Sequence, residues 1–348
     1  MNATKKQDLD WGSLGFSYLK TDFRFKATYK NGVWSEGEMV TDEVMSVHEG
    51  STVMHYGQSC FEGLKAQTAQ DGRILLFRPD LNNQRMQESA ERLLMPKVPT
   101  ELFMKGIESV IRSNLSWVPP YGSGAAFYIR PILMGLGENM GLRPAPEYEF
   151  RVFASPVGPY YKSGGLNVIS LAVIDIDRAA PLGLGHYKVG ANYAGGLLAT
   201  RKAQALGANE ALYLDPKERK YLEEAGSANI VMVLKGKRFA TPKSSSILPS
   251  VTRRAIMTLA EKELGFSLEE RPIDFLAEQG EIEEMAACGT AAVLSPIGKL
   301  LIDGTWHQIG TQADQPGPVM SDLYQRLTSL QRGEREDPYG WTYSVKLD

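Results

Sequence analysis

One lysine, Lys188, stands in the stretch "GHYKVGANYAGG", Gly185 to Gly196, among residues with almost no bulk. An ε-amine becomes a nucleophile only after losing its proton. Burial among apolar and small groups favours that loss, because it disfavours the charged form. Gly185, Gly190, Ala191 and Gly195 would also let a planar group approach the backbone closely. A flexible glycine-rich loop with an ordinary surface lysine accounts for the same letters. In "YLEEAGSANIVMV", Glu223 and Glu224 precede a Gly-Ser turn and then a strand. A carboxylate entering a buried strand is costly unless it meets a cation. The protonated pyridine nitrogen of pyridoxal phosphate (PLP) would be such a cation, and that cofactor needs a protein carboxylate there to act as an electron sink.

PLP also needs a phosphate seat. The sequence has no Walker loop and no Gly-x-Gly-x-x-Gly, so the common nucleotide fingerprints are missing. In "ILPSVTRR", Pro249 and Ser250 lead into a helix whose first amides belong to Val251 and Thr252. Such amides, with the helix dipole, suit an anion. "CGTAAV" offers a Gly289-Thr290 turn and a hydroxyl, and Arg85 in "NNQRM" could add direct charge pairing. Each has a plain structural alternative: Ser250 as a helix cap, Arg85 as a solvated arginine. The four histidines are scattered without metal-ligand spacing to a cysteine or acid cluster, so no metal is expected. A net charge near −3 gives no sign of nucleic acid or an anionic membrane, and no apolar run approaches a transmembrane length. Two cysteines, Cys60 and Cys288, cannot form a disulfide framework, and the amino-terminal residues read as neither signal nor transit peptide. Cytoplasmic localisation is the expectation.

Positioning these groups takes both strands and helices. Asn31-Gly32 in "KATYKNGVWSEGEMV" reads as a hairpin turn. "DLNNQRMQESAERLLMP" places Met86, Ala90, Leu93 and Leu94 on one helical face before Pro96. "TELFMKGIESVIRSNLSWVPP" repeats the period with Leu102, Phe103, Ile107, Val110 and Ile111 behind a Thr100 cap, and "AAFYIRPILMG" and "EFRVFASPV" read as buried strands. A helix is expected at roughly 195–206, closed by Gly207. Another runs through "SVTRRAIMTLAEKELG" and a last one near 320–331. Strands come in hairpins and runs rather than strict β-α alternation, which predicts α+β. The expected division is a small α+β domain over 1–158, a connector over 159–165 in "SPVGPYYKSGG", and a large carboxy-terminal domain over 166–348 carrying Lys188.

Eight ordered stretches resemble one family, the branched-chain aminotransferases, which are fold-type IV PLP enzymes. They are "MHYGQSCFEGLKA", "LFRPDLNNQRM", "AAFYIRPILMG", "SPVGPYYKSGG", "GHYKVGANYAGG", "YLEEAGSANI", "ILPSVTRRAI" and "CGTAAVLSPIG", and the likeness runs from about residue 12 to the end. The resemblance implies the two-domain fold-type IV architecture, also that of D-amino-acid aminotransferase, and a homodimer. It implies that Lys188 carries PLP as an imine and moves the proton between Cα and C4′. Glu224 would pair with the pyridine nitrogen and Tyr193 with the phenolic oxygen. Arg85, the Val251 and Thr252 amides and the Thr290 hydroxyl would hold the phosphate. Thr290 and Ala291 would lie near the substrate α-carboxylate. Tyr56, Phe61 and Tyr128 would form the apolar wall, and Arg130 would take the second carboxylate of glutamate.

The implied reaction moves the amino group of L-leucine, L-isoleucine or L-valine to 2-oxoglutarate, giving the 2-oxo acid and L-glutamate. One methylene is worth only about 1–3 kcal/mol, so all three aliphatic substrates should be accepted. Animal members carry a Cys-x-x-Cys pair where this chain has Ala292 and Ser295, so no thiol switch is expected there. Three alternatives stay open: a D-amino-acid aminotransferase, an aminodeoxychorismate lyase, and a non-catalytic PLP-binding protein.

Overall fold

The structure is a computed structural model that describes residues 5–158, 166–310 and 313–347. The expected connector, 159–165, lies outside the described residues. By its contacts the chain divides into two compact units. The first comprises Met1–Lys162, Tyr187–Gly190 and Ser329–Asp348, and the second comprises Ser163–His186 and Ala191–Thr328. This differs from the linear division at 158/166. Strand pairing shows why: Val189 bridges to Cys60, and the strand at Thr342–Ser344 pairs with Ile74–Phe77. Lys188 therefore belongs with the first unit.

The first unit is built on one antiparallel sheet. Its early strands are β1 (Arg24–Lys30), β2 (Val33–Trp34), β3 (Glu38–Val40), β4 (Ser59–Phe61), β5 (Leu64–Thr68) and β6 (Ile74–Phe77). Two long strands follow, β7 (Ala126–Leu136) and β8 (Glu147–Val157). The β1–β2 hairpin turns at Asn31 (φ 55°) and Gly32 (φ 84°), the left-handed pair that an Asn-Gly dipeptide supplies at least cost. Helix α1 (Thr52–His55) is a single turn. Helix α2 (Pro79–Arg92) buries Met86 and Ala90, as its period predicts. Leu94 does not join that face. It adopts φ 53° beyond the helix end and is 72% exposed, because the left-handed turn aims it outward. Helix α3 (Thr100–Ser113) buries Leu102, Phe103, Ile107, Val110 and Ile111. Its N-cap is Pro99 rather than Thr100, whose hydroxyl accepts from Asn83 Nδ2 at 2.7 Å. Phe103 stacks on Phe150 of β8, with ring centres 6.1 Å apart, which fixes α3 on the sheet.

The second unit holds β9 (Ile169–Val173), β10 (Glu210–Leu214), β11 (Leu222–Ala225), β12 (Asn229–Leu234), β13 (Arg238–Pro242) and β14 (Ser267–Arg271). The sheet is completed by β15 (Ile282–Gly289), β16 (Val293–Ile302) and β17 (Thr305–Gln308). The strand order is β11-β10-β9-β16-β15-β12-β13-β14, with β17 on β16. Only β9–β10, β9–β16 and β13–β14 among the described pairings run parallel. That mixture is α+β rather than doubly wound. Leu171, Leu212, Ile230, Met232, Met285 and Leu300 fill one core. Helix α4 (Gly190–Ala205) starts five residues earlier than the sequence pattern suggests and lays Ala199 and Ala203 against Ala172, Ala211 and Tyr213. Helix α5 (Val251–Lys262) is capped by the Ser250 hydroxyl, which accepts the Arg253 N–H at 3.1 Å. After the short α6 (Phe275–Glu278), helix α7 (Pro318–Gln331) buries Leu323, Leu327 and Leu330, and the chain ends on β18 (Thr342–Ser344) in the first sheet.

Candidate active site

Lys188 is held first by its backbone. Its N–H donates to Ser89 Oγ at 2.9 Å, and its carbonyl accepts the Phe61 N–H at 3.1 Å. The lysine is thus clamped between α2 and β4. Its residue is half-buried, with Nζ 4.7 Å from the centre of the Phe61 ring. Burial, seconded by the Arg85 guanidinium, pushes the amine down to about 8, while Glu62 pulls in the opposite direction. Desolvation thus outweighs the neighbouring carboxylate and favours the neutral amine.

Glu62 is the residue that sequence reasoning missed here. It is fully buried. Its Oε1 accepts Arg85 Nε at 2.7 Å, and its Oε2 accepts Arg85 Nη2 at 2.8 Å and Asn82 Nδ2 at 2.8 Å. Arg85 is therefore no solvated helix arginine: it is 7% exposed and bidentate to Glu62. Nothing in the letters "FEGLK" separates a buried glutamate from a surface one. The only cue was its place beside Phe61.

On the same sheet face, Arg130 Nη2 donates to the Tyr128 hydroxyl at 3.2 Å. Its guanidinium lies 4.9 Å from the Phe61 ring centre and 5.4 Å from that of Tyr128. Its Nε is buried without a partner. The structure therefore brings Lys188, Phe61, Arg85, Tyr128 and Arg130 into one cluster. Tyr56 stands differently: it is 44% exposed, its ring lies on His55, and its hydroxyl donates to the Met140 carbonyl at 2.9 Å.

In the second unit, Glu224 of β11 is 5% exposed. Its Oε1 meets Arg178 Nη2 at 2.8 Å and its Oε2 accepts Asn229 Nδ2 at 2.6 Å. Arg178 also donates to the carbonyls of Gly185 (3.1 Å) and Ser246. The cation that a buried Glu224 requires is thus a protein side chain, 46 positions upstream in "DIDRAAP" and invisible to local pattern. Gly185 has a specific reason to lack a side chain: a Cβ there would stand 2.2 Å from the Ser246 carbonyl oxygen and 2.7 Å from Arg178 Nη2. Gly195, by contrast, faces open space. The neighbouring Glu223, 2% exposed, accepts the hydroxyls of Ser244 (2.6 Å) and Ser246. Val251 and Thr252 are buried in the first turn of α5, where backbone N–H groups have no intrahelical acceptor. Tyr193 is in α4. Thr290 and Ala291 occupy the turn between β15 and β16, both half-buried. That turn ends in a strained γ-turn: Val293 has φ 67°, and the Leu294 N–H reaches back to the Ala292 carbonyl at 2.9 Å. For a β-branched residue this costs on the order of 1–3 kcal/mol and fixes the loop geometry.

Cys60 and Cys288 are both buried and unpaired, and burial pushes the Cys288 thiol up to about 12. Among the described residues no cluster of histidine, cysteine or acid could hold a metal ion, and no helix is long and apolar enough to cross a membrane.

The first unit thus carries a lysine whose amine burial pushes down, with an arginine beside it, and the second carries a buried carboxylate paired with a cation. Comparison with known proteins places the chain in a family. Residues 59–300 match the family model "Amino-transferase class IV", and the chain belongs to that family. It is 48% identical over 345 residues to the branched-chain-amino-acid aminotransferase of Haemophilus influenzae, covering 98% of this chain and all of that one. It is equally 48% identical over 343 residues to the enzyme of that name from Helicobacter pylori, covering 97% and 98% of the two chains. Among solved structures, the Escherichia coli branched-chain amino acid aminotransferase is 30% identical with a TM-score of 0.76, covering 94% of this chain and 100% of that one. The T.th. branched-chain amino acid aminotransferase, solved with pyridoxamine 5'-phosphate, superposes with a TM-score of 0.78 at 27% identity and the same coverage.

Proposed function

We propose that this chain is a PLP-dependent branched-chain aminotransferase. It passes the amino group of L-leucine, L-isoleucine or L-valine to 2-oxoglutarate, and Lys188 is the residue that carries the cofactor and moves the proton. The observation that carries the reading is the clamp on Lys188, whose backbone is fixed by Ser89 and Phe61, whose Nζ lies 4.7 Å from the Phe61 ring centre, and whose amine burial pushes down to about 8. At pH 8 about half of such an amine is neutral, against well under about 1% of an ordinary lysine. The residues present suit PLP: a titrating amine, a buried carboxylate with a cationic partner, and a helix start for an anion. The cofactor supplies the aldehyde that captures an amino group and the ring that withdraws electrons from the α-carbon.

With the cofactor bound, the Lys188 amine would be the group placed to accept the α-proton and return it one atom further on. Arg178 and Asn229 engage the two oxygens of Glu224 and hold its carboxylate in place, and this is the acid that would meet the ring nitrogen. Arg85, the Val251 and Thr252 amides and Thr290 hold the phosphate, Tyr193 the phenolic oxygen, and Thr290 and Ala291 the α-carboxylate. Phe61, Tyr128 and Tyr56 receive the aliphatic side chain. Arg130, with a buried donor to spare, receives the second carboxylate of glutamate. A homodimer would cover apolar side chains that this chain leaves exposed, among them Met54, Tyr56, Met140 and Leu142, and the unpaired thiols of Cys60 and Cys288 suit the cytoplasm.

The test is direct. Purified protein with PLP, given L-leucine and 2-oxoglutarate, should form 4-methyl-2-oxopentanoate and L-glutamate. D-alanine turnover with none for L-leucine would overturn the substrate assignment, and analytical ultracentrifugation checks the dimer.

A further inference from the structure

We propose that Gly63 is a specificity-determining residue, reserving the space in which the Tyr128 hydroxyl steers Arg130 toward a dicarboxylate. The inference rests on the reading that Arg130 receives the second carboxylate of glutamate and 2-oxoglutarate. Gly63 is buried, immediately before β5. The register Leu64↔Ile129 and Lys65↔Tyr128 places it opposite Arg130 on β7. Its φ lies outside the left-handed region, so the backbone there would accept any residue. What excludes a side chain is Tyr128. A Cβ on Gly63 would stand 2.1 Å from Tyr128 Oη and 2.9 Å from Cζ.

The tyrosine cannot retreat without consequence. Its ring is braced edge-on by Phe16 at 4.8 Å and 72°, and its hydroxyl is the acceptor for Arg130 Nη2 at 3.2 Å. The rings of Phe61 and Tyr128 and that one hydroxyl set the direction of the Arg130 guanidinium. A methyl group at position 63 therefore moves the hydroxyl, and the guanidinium loses the contact that orients it. An aliphatic side chain needs no guanidinium and loses only packing against the displaced Tyr128 ring, so the heavier penalty falls on the dicarboxylate half-reaction. Gly63 acts through Tyr128 and Arg130 and is a positioning residue.

The experiment is a double-mutant cycle on the holoenzyme with Gly63→Ala, Tyr128→Phe and the combination, plus Arg130→Gln. It reads kcat/KM separately for L-glutamate and L-leucine, and equilibrium binding of two unreactive acids, glutarate and 4-methylpentanoate. Urea midpoints confirm that each variant folds. Losing a charge-assisted hydrogen bond is worth roughly ten-fold or more. Gly63→Ala should accordingly lower glutamate turnover and glutarate binding by about ten-fold or more, a clearly larger loss than that for leucine and 4-methylpentanoate, which feel only the shifted Tyr128 ring. Without the Oη atom the same substitution should cost far less, because the closest clash is gone. Equal losses for both acids, or an equal cost whether Tyr128 is intact or already replaced by phenylalanine, would overturn the role of Gly63 alone. An Arg130→Gln variant that keeps full glutamate turnover would overturn the Arg130 reading and this inference with it.

Discussion

Glu62→Gln tests the electrostatics around Lys188 most sharply. The wild-type carboxylate is fully buried and takes two hydrogen bonds from Arg85, one from Asn82 and one from the Gly63 N–H at 3.2 Å. Glutamine keeps the shape but offers one acceptor oxygen and turns an NH2 toward donors. Arg85, 7% exposed, is left as a buried cation without its counter-ion. Breaking one side of a buried pair costs about 3–5 kcal/mol, because the remaining charge stays desolvated. Urea unfolding of the cofactor-free protein, followed by circular dichroism, should show a loss of that size. The second consequence concerns the amine. Glu62 raises the Lys188 pKa and Arg85 lowers it, so removing the carboxylate should send Lys188 further below about 8. The pH dependence of PLP capture by the apoprotein should move down accordingly. Glu62→Leu with Arg85→Met removes both charges and should recover most of the lost stability, though not the cofactor affinity. A loss below about 1 kcal/mol for Glu62→Gln, with unchanged capture, would refute the argument.

Four further outcomes are expected. The Lys188 pKa is depressed to about 8 from 10.5, so its stability penalty is full below pH 8 and is relieved as pH rises to 10.5. Cofactor-free Lys188→Met should therefore unfold at higher urea than wild type at pH 7, with the gap narrowing across that window; a gap independent of pH would contradict the burial argument. Arg178→Met should destabilise the protein by about 3–5 kcal/mol by stranding Glu224, and Arg178→Lys should not restore it, since one ammonium cannot copy a guanidinium fork; full stability of either variant in urea would count against the network. Ser250→Ala should cost about 1 kcal/mol through the lost cap on α5, measurable by the same unfolding. Cys60 and Cys288 should resist a thiol-reactive disulfide in the folded protein and react on unfolding, because burial raises both thiols.

Much of this arrangement was legible in the letters, for local reasons. Asn31-Gly32, the period of α3 and the Ser250 start of α5 are short-range signals, and each formed where its chemistry requires. Lys188 and Glu224 could be singled out because a charge among small or apolar residues is locally anomalous. Their partners could not. Glu62 and Arg178 are ordinary charged letters that become significant only when β4, α2 and β11 bring distant positions together. Leu94 illustrates the opposite limit. Its spacing fits the buried face of α2, yet its own left-handed backbone just past Arg92 turns it outward, and periodicity carries no information about where a helix stops. The contact-based units differ from a break at 158/166 for a similar reason: composition marks a linker but cannot show that 187–190 and 329–348 group with the first unit.

The return of β18 to β6 sets an order on biosynthesis. Residues 342–344 are translated long after Ile74–Phe77, yet they close an edge of the sheet begun at residue 24. Translation adds roughly 5–20 residues per second, so the Ile74–Phe77 edge waits on the order of ten seconds or more for its neighbour. During that interval a hydrophobic strand, ILLF, presents open backbone groups to any nascent chain nearby. Removing residues 342–344 would make that transient exposure permanent, with aggregation as the expected fate.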